Sequence, residues 1–321
     1  MTEPASTPVD YAAALSAVQT DPRYRGNIRY GQPRSGHPEG SIRAHILTLE
    51  ANLEQIRTRL DPATEARLRF AIHVHDTFKP ESRQTDGVRD HGEIARDFAA
   101  EFGADADMLA LLELHDEPYR LWKSWVRTGT LDAERLGRLA DRIVDWDLFL
   151  AFVILDSWTA GKDLEKLRWF IRAALAVRPS AIHVGWLPAY IFQNHLFELA
   201  PGHLEGFFEG WPSAPSPETH QRILEGSDRV WLARVPENGQ VAGFITALTD
   251  DVLSAYIPLL EVLPGHRGRG VGGLLTRVML ADLSDLYMID LVCDAELQPF
   301  YARQGFRAGK AMSVRRYGQI P

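Results

Sequence analysis

Apolar positions recur through the first half of the chain at i, i+3, i+4 and i+7, the spacing that places them on one face of an α-helix. Ile42, His45, Ile46 and Leu49 follow it, as do Leu68, Ala71, Ile72 and His75. Met108, Leu111, Leu112 and His115 repeat it, and Phe149, Phe152, Val153 and Asp156 close the series. The pattern predicts helices over 41–177 and no strand there. Residues 1–40, rich in proline, glycine and polar groups, read as an irregular lead-in. After Arg178-Pro179-Ser180 the character changes to short apolar runs at 230–235, 241–248 and 254–263, which predict strands. Asn238-Gly239 between the first two reads as a tight hairpin turn, since both residues tolerate positive φ. The organisation expected is an all-α domain over 41–178 followed by an α+β domain over 181–321.

Composition narrows the function classes. A length of 321 residues is comfortable for two cores, and 45% apolar with 24% charged residues is ordinary for a soluble globular protein. A net charge of −8 argues against a general nucleic-acid or membrane-surface binder. The single cysteine, Cys293, excludes an internal disulfide and suits a reducing compartment. Its place in an apolar run reads as a buried core thiol. The start, MTEPASTPVDYAAAL, lacks the basic and apolar regions of a signal peptide, and the longest apolar run, 148–155, is too short to span a bilayer. The expected location is the cytoplasm.

The most informative motif is Arg267-Gly268-Arg269-Gly270-Val271-Gly272, which follows the apolar stretch 256–263 and precedes a helical pattern of Leu274, Leu275, Val278 and Met279. A strand running into a Gly-rich loop and a helix traps phosphate: glycines let backbone N–H groups approach an anion, and the helix presents its positive end. Gly268, Gly270 and Gly273 also fit the dinucleotide fingerprint G-x-G-x-x-G. That fingerprint opens a doubly wound sheet, and fewer than fifty residues follow it here. The alternative is R-x-x-G-x-G at Arg267, Gly270 and Gly272, after Pro264. It resembles the acetyl-CoA pyrophosphate loop of the GNAT acyltransferases. The resemblance continues in 290–294 as the next strand and in the run from Pro299 to Phe306, with Tyr301 at the family's tyrosine position.

That resemblance implies a mixed, mostly antiparallel sheet and acetyl-CoA as cofactor. Backbone groups near Val262 and Leu263 would pair with the pantetheine arm, and the amides of Arg267, Gly268, Arg269, Gly270, Val271 and Gly272 would hold the pyrophosphate. Glu261, in the strand before the loop, is the candidate base for an amine acceptor, and Tyr301 is the candidate acid for the leaving thiolate. Residues 211–217 would form an ordered loop on the acceptor side, and Asp290 and Asp294 flank the strand that could meet a cationic acceptor.

The helical half carries a second constellation. His45, His75, His115 and Asp156 each interrupt an apolar stripe, and burying a carboxylate is costly unless a shared cation removes the cost. The order His45, His75-Asp76, Asp156 resembles the H…HD…D signature of HD-domain metal-dependent phosphohydrolases, with Lys79 trailing the HD pair. His91 and His115 match the extra histidines of its binuclear subgroup. The resemblance implies His45, His75, Asp76 and Asp156 as ligands of a divalent transition metal (Mn, Fe, Ni, Co or Zn), with His91 and His115 available to a second ion. Lys79 would neutralise phosphate, while Arg34 and Arg83 read as solvated loop arginines. His73 faces away from the His75 stripe, and His183, His195, His203 and His220 show no ligand spacing.

The expected protein is an N-acetyltransferase acting on a small amine, fused to a phosphohydrolase of a phosphorylated metabolite or nucleotide, with a homodimer allowed. A transferase regulated by a non-catalytic HD sensor is the first alternative. A CoA-binding scaffold without chemistry is the second.

Overall fold

In a computed structural model, residues 9–34, 36–84 and 88–314 are described. The chain divides into two compact units, Met1–Pro188 and Ala189–Pro321. The first contains helices and no named strand among its described residues. Its helices are α1 (Tyr11–Thr20), α2 (Pro22–Asn27), α3 (Ile42–Ile56), α4 (Pro62–Val74), α5 (Lys79–Gln84) and α6 (His91–Glu101). Then come α7 (Ala106–Leu114), α8 (Glu117–Thr128), α9 (Ala133–Arg142), α10 (Trp146–Ser157) and α11 (Leu164–Val177).

Aspartate begins most of them. Asp10, Asp61, Asp90, Asp105, Asp132, Asp145 and Asp163 each accept a first-turn N–H, and Ser41 does so for α3. Such caps contribute about 1 kcal/mol each. Helix α10 is apolar all round and buries every residue from Leu148 to Leu155, so it is the axis of the unit, packed against α3, α4 and α11.

The lead-in differs from expectation. Residues 1–8 lie outside the described residues, but Asp10 and the Asp21-Pro22 pair start two helices. Tyr11, Ala14 and Val18 are buried on one face, and Tyr11 meets Phe70 of α4 edge-on at 5.2 Å. The proline and glycine content that suggested irregularity belongs chiefly to the remainder. The described residues of 28–41 form a non-helical strap closed by Gly31, whose positive φ and missing Cβ admit Gly40 O at a position 2.3 Å from where a Cβ would stand. At the other end, Arg59 Nη1 donates to Gly185 O at 2.9 Å, which ties residues beyond 181 to the helical unit.

The second unit contains β1 (Ile191–Gln193), α12 (Pro217–Glu225), β2 (Arg229–Arg234), β3 (Val241–Thr249), β4 (Ser254–Val262), α13 (Val271–Asp282), β5 (Met288–Leu291) and α14 (Gln298–Ala302). The sheet order is β1-β2-β3-β4-β5. All pairs are antiparallel except β4–β5, which is parallel. Strand β1 was not foreseen, since three residues are too few for a periodic signal. The strand expected at 290–294 lies two to three residues earlier, so Cys293 falls in coil and is only partly buried rather than a core thiol.

The β2–β3 connection is longer than a two-residue turn. Val235 N–H donates to Gln240 O and Gly239 N–H to Val235 O, with only Gly239 at positive φ (72°). Asn238 instead accepts the Gln240 N–H on its side-chain oxygen. The core holds Trp231, Phe192, Phe244 and Leu275, all fully buried. No helix among the described residues is long and apolar enough to cross a membrane.

Candidate functional site

In the helical unit, six predicted ligands converge from five segments. His45 lies inside α3, His75 caps the C-terminus of α4 with Asp76 next, and His91 opens α6. His115 caps α7, and Asp156 sits in the last turn of α10. Asp76 is the centre. Its Oδ2 stands 3.4 Å from His75 Nε2 and 3.8 Å from His45 Nε2, while its Oδ1 stands 3.4 Å from His91 Nε2 and 3.6 Å from His115 Nε2. Asp156 Oδ1 completes the first group, 3.0 Å from His45 Nε2 and 3.8 Å from His75 Nε2. His91 and His115 face each other, Nε2 to Nε2, at 3.1 Å. Two triads, His45-His75-Asp76 and Asp76-His91-His115, each bring their ligand atoms within 4.8 Å of one another.

The outer nitrogens are ordered too. His75 Nδ1 lies 3.0 Å from Ile72 O and His115 Nδ1 2.8 Å from Leu112 O, the carbonyls one turn back. His91 Nδ1 lies 3.2 Å from Asp90 Oδ1. His45 Nδ1 lies 3.4 Å from Glu39 Oε1. Each imidazole thus turns Nδ1 to an oxygen and Nε2 to the carboxylates. His75 Nε2 is buried and has no hydrogen-bond partner. A buried nitrogen lone pair without a donor, facing two carboxylate oxygens, is costly in a dry interior. A cation that accepts electron pairs from both nitrogen and oxygen removes that cost, so the donor set fits a divalent transition metal.

Charge is balanced by two lysines. Lys79 Nζ donates to Asp76 Oδ2, and Lys162 Nζ lies 3.2 Å from Asp156 Oδ1. Burial alone would raise both carboxyls; Lys79 and His75 hold Asp76, and Lys162 and His45 hold Asp156, well below the usual range. Burial pushes His75 down, whereas Asp76 and Asp116 outweigh burial at His115 and bring it up to about 9.

A cavity of about 490 Å³ opens beside His45 and Asp76, and its other lining includes Arg29, Arg34, Lys79 and Arg83. Arg34 and Arg83 are exposed, as expected of solvated residues, and both border this cavity. Arg83 of α5 donates to the Tyr30 hydroxyl at 3.0 Å. His73 stays away from the cluster: its ring pairs with the Tyr24 hydroxyl and faces Glu50.

In the sheet unit, β5 pairs with β4 only from Ser254–Met288 to Ile257–Leu291. Pro258 follows, which has no N–H to donate, and β4 runs on to Val262 paired with β3 alone. The β4–β5 pairing ends there, and β4 leads on into the loop. Leu263 N–H is taken by Ala242 O at 2.9 Å, and Val262 O accepts from Arg267 Nε at 3.0 Å. Gly268 (φ 75°) and Gly270 (φ 83°) turn the chain into α13 with left-handed backbone. Unlike most helices of the chain, α13 has no side-chain cap and no acidic residue in its first turn. Its first N–H groups are left for an anion. Arg269 is exposed, and Arg267 Nη2 pairs with Glu209 Oε2 at 3.2 Å.

Glu261 sits on β4 opposite Phe244. Both its oxygens accept the Phe208 N–H, at 2.8 and 3.0 Å, and burial raises its pKa. Phe208 has φ of +63°, a strained position for an aromatic residue, so Glu261 pins a strained loop. Tyr301 of α14 is half-buried beside Phe300 and Phe306, with its hydroxyl pushed up to about 12 by burial. It lines a cavity of about 780 Å³ with Asp290 and Cys293, while Asp294 is exposed outside that lining. Phe300 and Val262 both lie within 4 Å of where a Gly272 Cβ would stand, which brings α14 to the first turn of α13.

Residues 196–306 match the acetyltransferase (GNAT) family. The sheet unit carries a GNAT acetyltransferase domain. Within the GCN5-related N-acetyltransferase 3, chloroplastic, of Arabidopsis thaliana, 73 residues are 38% identical, 22% of this chain and 31% of that protein. The chain therefore spans about a third of that relative. A crystal structure from Deinococcus radiodurans R1, described as a candidate acetyltransferase, is 49% identical over 41% of this chain and 94% of its own, with a TM-score of 0.40. A GNAT-family acetyltransferase from Streptococcus pneumoniae TIGR4 is 20% identical over 40% of this chain and 98% of its own, with a TM-score of 0.33.

GNAT enzymes use acetyl-CoA. The Glu205–Gly210 stretch, with Phe208 bonded to Glu261 of β4 and Glu209 paired with Arg267, was not singled out by sequence reasoning, which began its loop at Trp211. Its signal was present in Gly206 and Gly210, both at positive φ around two aromatic residues.

Proposed function

We propose that the GNAT domain transfers acetyl from acetyl-CoA to the nitrogen of a small amine. The observation that carries this is β4 running past its pairing with β5 into a Gly-rich loop and a helix without a side-chain cap. Val262 and Leu263 border the pantetheine slot, and the amides from Arg267 to Gly272 receive the pyrophosphate. The amine nitrogen attacks the thioester carbonyl, a C–N bond forms and the C–S bond breaks. Glu261, with lone pairs beyond those used by Phe208, takes the amine proton, and Tyr301 returns a proton to the thiolate of CoA. A burial-raised carboxyl at Glu261 implies an acid limb of kcat/KM above the ordinary carboxylate range. Titration calorimetry with acetyl-CoA and a screen of amines test the reading. No affinity for acetyl-CoA would end it, and Tyr301→Phe should lower kcat about 100-fold.

For the helical unit we propose an HD-type metal centre that hydrolyses a phosphate ester. The carrying observation is Asp76, whose two oxygens face two separate histidine groups. His45, His75, Asp76 and Asp156 would hold one divalent ion, and Asp76, His91 and His115 a second. Such ions supply Lewis acidity and lower the pKa of water. Arg29, Arg34, Lys79 and Arg83 neutralise and orient the phosphate at the cavity mouth. Hydrolysis forms a P–O bond from water and breaks the ester P–O bond, the alcohol leaving with a proton. A second reading, a non-catalytic sensor of metal or nucleotide, draws support from Lys79 and Lys162, which already neutralise Asp76 and Asp156. Metal analysis and a phosphatase screen with Mn²⁺, Ni²⁺ or Co²⁺ separate them: metal uptake without turnover favours the sensor.

A further inference from the structure

The imidazoles of the cluster are oriented by two different kinds of partner. His75 and His115 sit at helix ends, where the carbonyls of Ile72 and Leu112 come from the same turn. His91 has Asp90, the cap of its own helix. His45 lies in the first turn of α3, where the carbonyl one turn back, that of the cap Ser41, already accepts the His45 N–H. Its Nδ1 is buried and forms no hydrogen bond of normal geometry. The oxygen facing it belongs to Glu39, at 3.4 Å, on the strap rather than on the helix. Glu39 is 9% exposed in its side chain, and the same Oε1 lies 3.2 Å from His37 Nδ1.

We infer that Glu39 is a positioning residue for His45: its carboxylate accepts Nδ1–H, fixes the tautomer that leaves the Nε2 lone pair inward, and raises the basicity of that nitrogen. The inference rests on the metal reading of the cluster and deepens it. A neutral imidazole has one donor and one acceptor nitrogen, and the partner of one nitrogen decides the state of the other. Carboxylates behind ligating histidines typically alter metal affinity 10- to 100-fold. Because Glu39 and Arg34 share the strap, and both line the cavity with His45, the segment that meets the substrate also sets the histidine.

The test is Co²⁺ binding to the full chain, read by its visible absorption and by calorimetry. Glu39→Ala should weaken Co²⁺ 10- to 100-fold. Glu39→Gln, close in volume and still able to accept from Nδ1–H, should fall between the two and restore the wild-type band shape. Thermal unfolding of the metal-free variants checks that folding is intact, and Glu39→Gln keeps the test valid where Glu39→Ala is destabilised. Wild-type affinity within twofold in both variants overturns the role of Glu39 and leaves the metal centre standing. Wild-type protein that takes up no Co²⁺ overturns both.

Discussion

His45, His75 and His115 in the helical unit and His220 in the sheet unit are all buried, yet their surroundings are opposite. The first three turn one nitrogen to an oxygen and the other toward Asp76 or Asp156. His220 is enclosed by Phe207, Phe208 and Phe244, with centroids 4.4 to 5.1 Å away, and neither ring nitrogen reaches a partner at hydrogen-bonding geometry. Burial alone therefore does not mark a site. What marks it is a second set of groups of opposite character aimed at the same point, which removes a desolvation cost that would otherwise select against the residue.

The largest break in this comparison should come from Asp76→Ala, because both histidine groups lose their shared oxygen donor. Co²⁺ or Mn²⁺ affinity should fall more than 100-fold, beyond the range for groups that only support a ligand. Calorimetry on the full chain measures it. Retention of metal within tenfold would mean that Asp76 is only the partner of Lys79.

The same contrast explains what sequence could disclose. The convergence of His45, His75, His115 and Asp156 was legible because each sits on an apolar helical stripe, where a polar residue is out of place, whereas Asp76 and His91 were named only through the family resemblance. The sharing of Asp76 between groups was not legible, since it depends on how α4, α6 and α7 meet. Glu39 was not named at all, and Arg34 was read only as a solvated loop residue, for a further reason. They lie on an aperiodic strap whose closure depends on Gly31 approaching Gly40. In the sheet unit the Gly-rich loop was legible as a strand–loop–helix motif because it is contiguous, six residues between one strand and one helix. Strand β5 and the β2–β3 connection were displaced because short edge elements are placed by pairing and bulges rather than by their own pattern.

A second break concerns His220. Burial pushes its pKa down to about 4, against an ordinary value of 6.5, with the Leu204 backbone offsetting only part. The folded state thus favours the neutral ring: the stability is complete above pH 6.5 and is lost as pH falls toward 4. At about 1.4 kcal/mol per pH unit the loss approaches 3 kcal/mol. His220→Leu should flatten this limb of the denaturation midpoint between pH 7 and 4.5, while the carboxylate contributions remain. Parallel pH dependence in both proteins would show that the cage opens before the ring protonates.

The smallest effects should separate the two ways of building a site. A site of side chains fails when one ligand is removed, but a site of backbone amides should tolerate loss of the side chains it carries. Arg269 is exposed, and an exposed charge contributes at most about 1 kcal/mol and is screened by salt. Arg269→Ala should weaken acetyl-CoA no more than about fivefold, with the difference shrinking at high salt. Gly270→Val meets no clash, since nothing lies within 4 Å of where its Cβ would be, but it forces φ of +83° on a β-branched residue. That strain costs about 1–2 kcal/mol, so binding should weaken about tenfold with little response to salt. If Arg269→Ala proved the more damaging of the two, the pyrophosphate would be held by the arginine, and the uncapped N-terminus of α13 would be only the end of a helix.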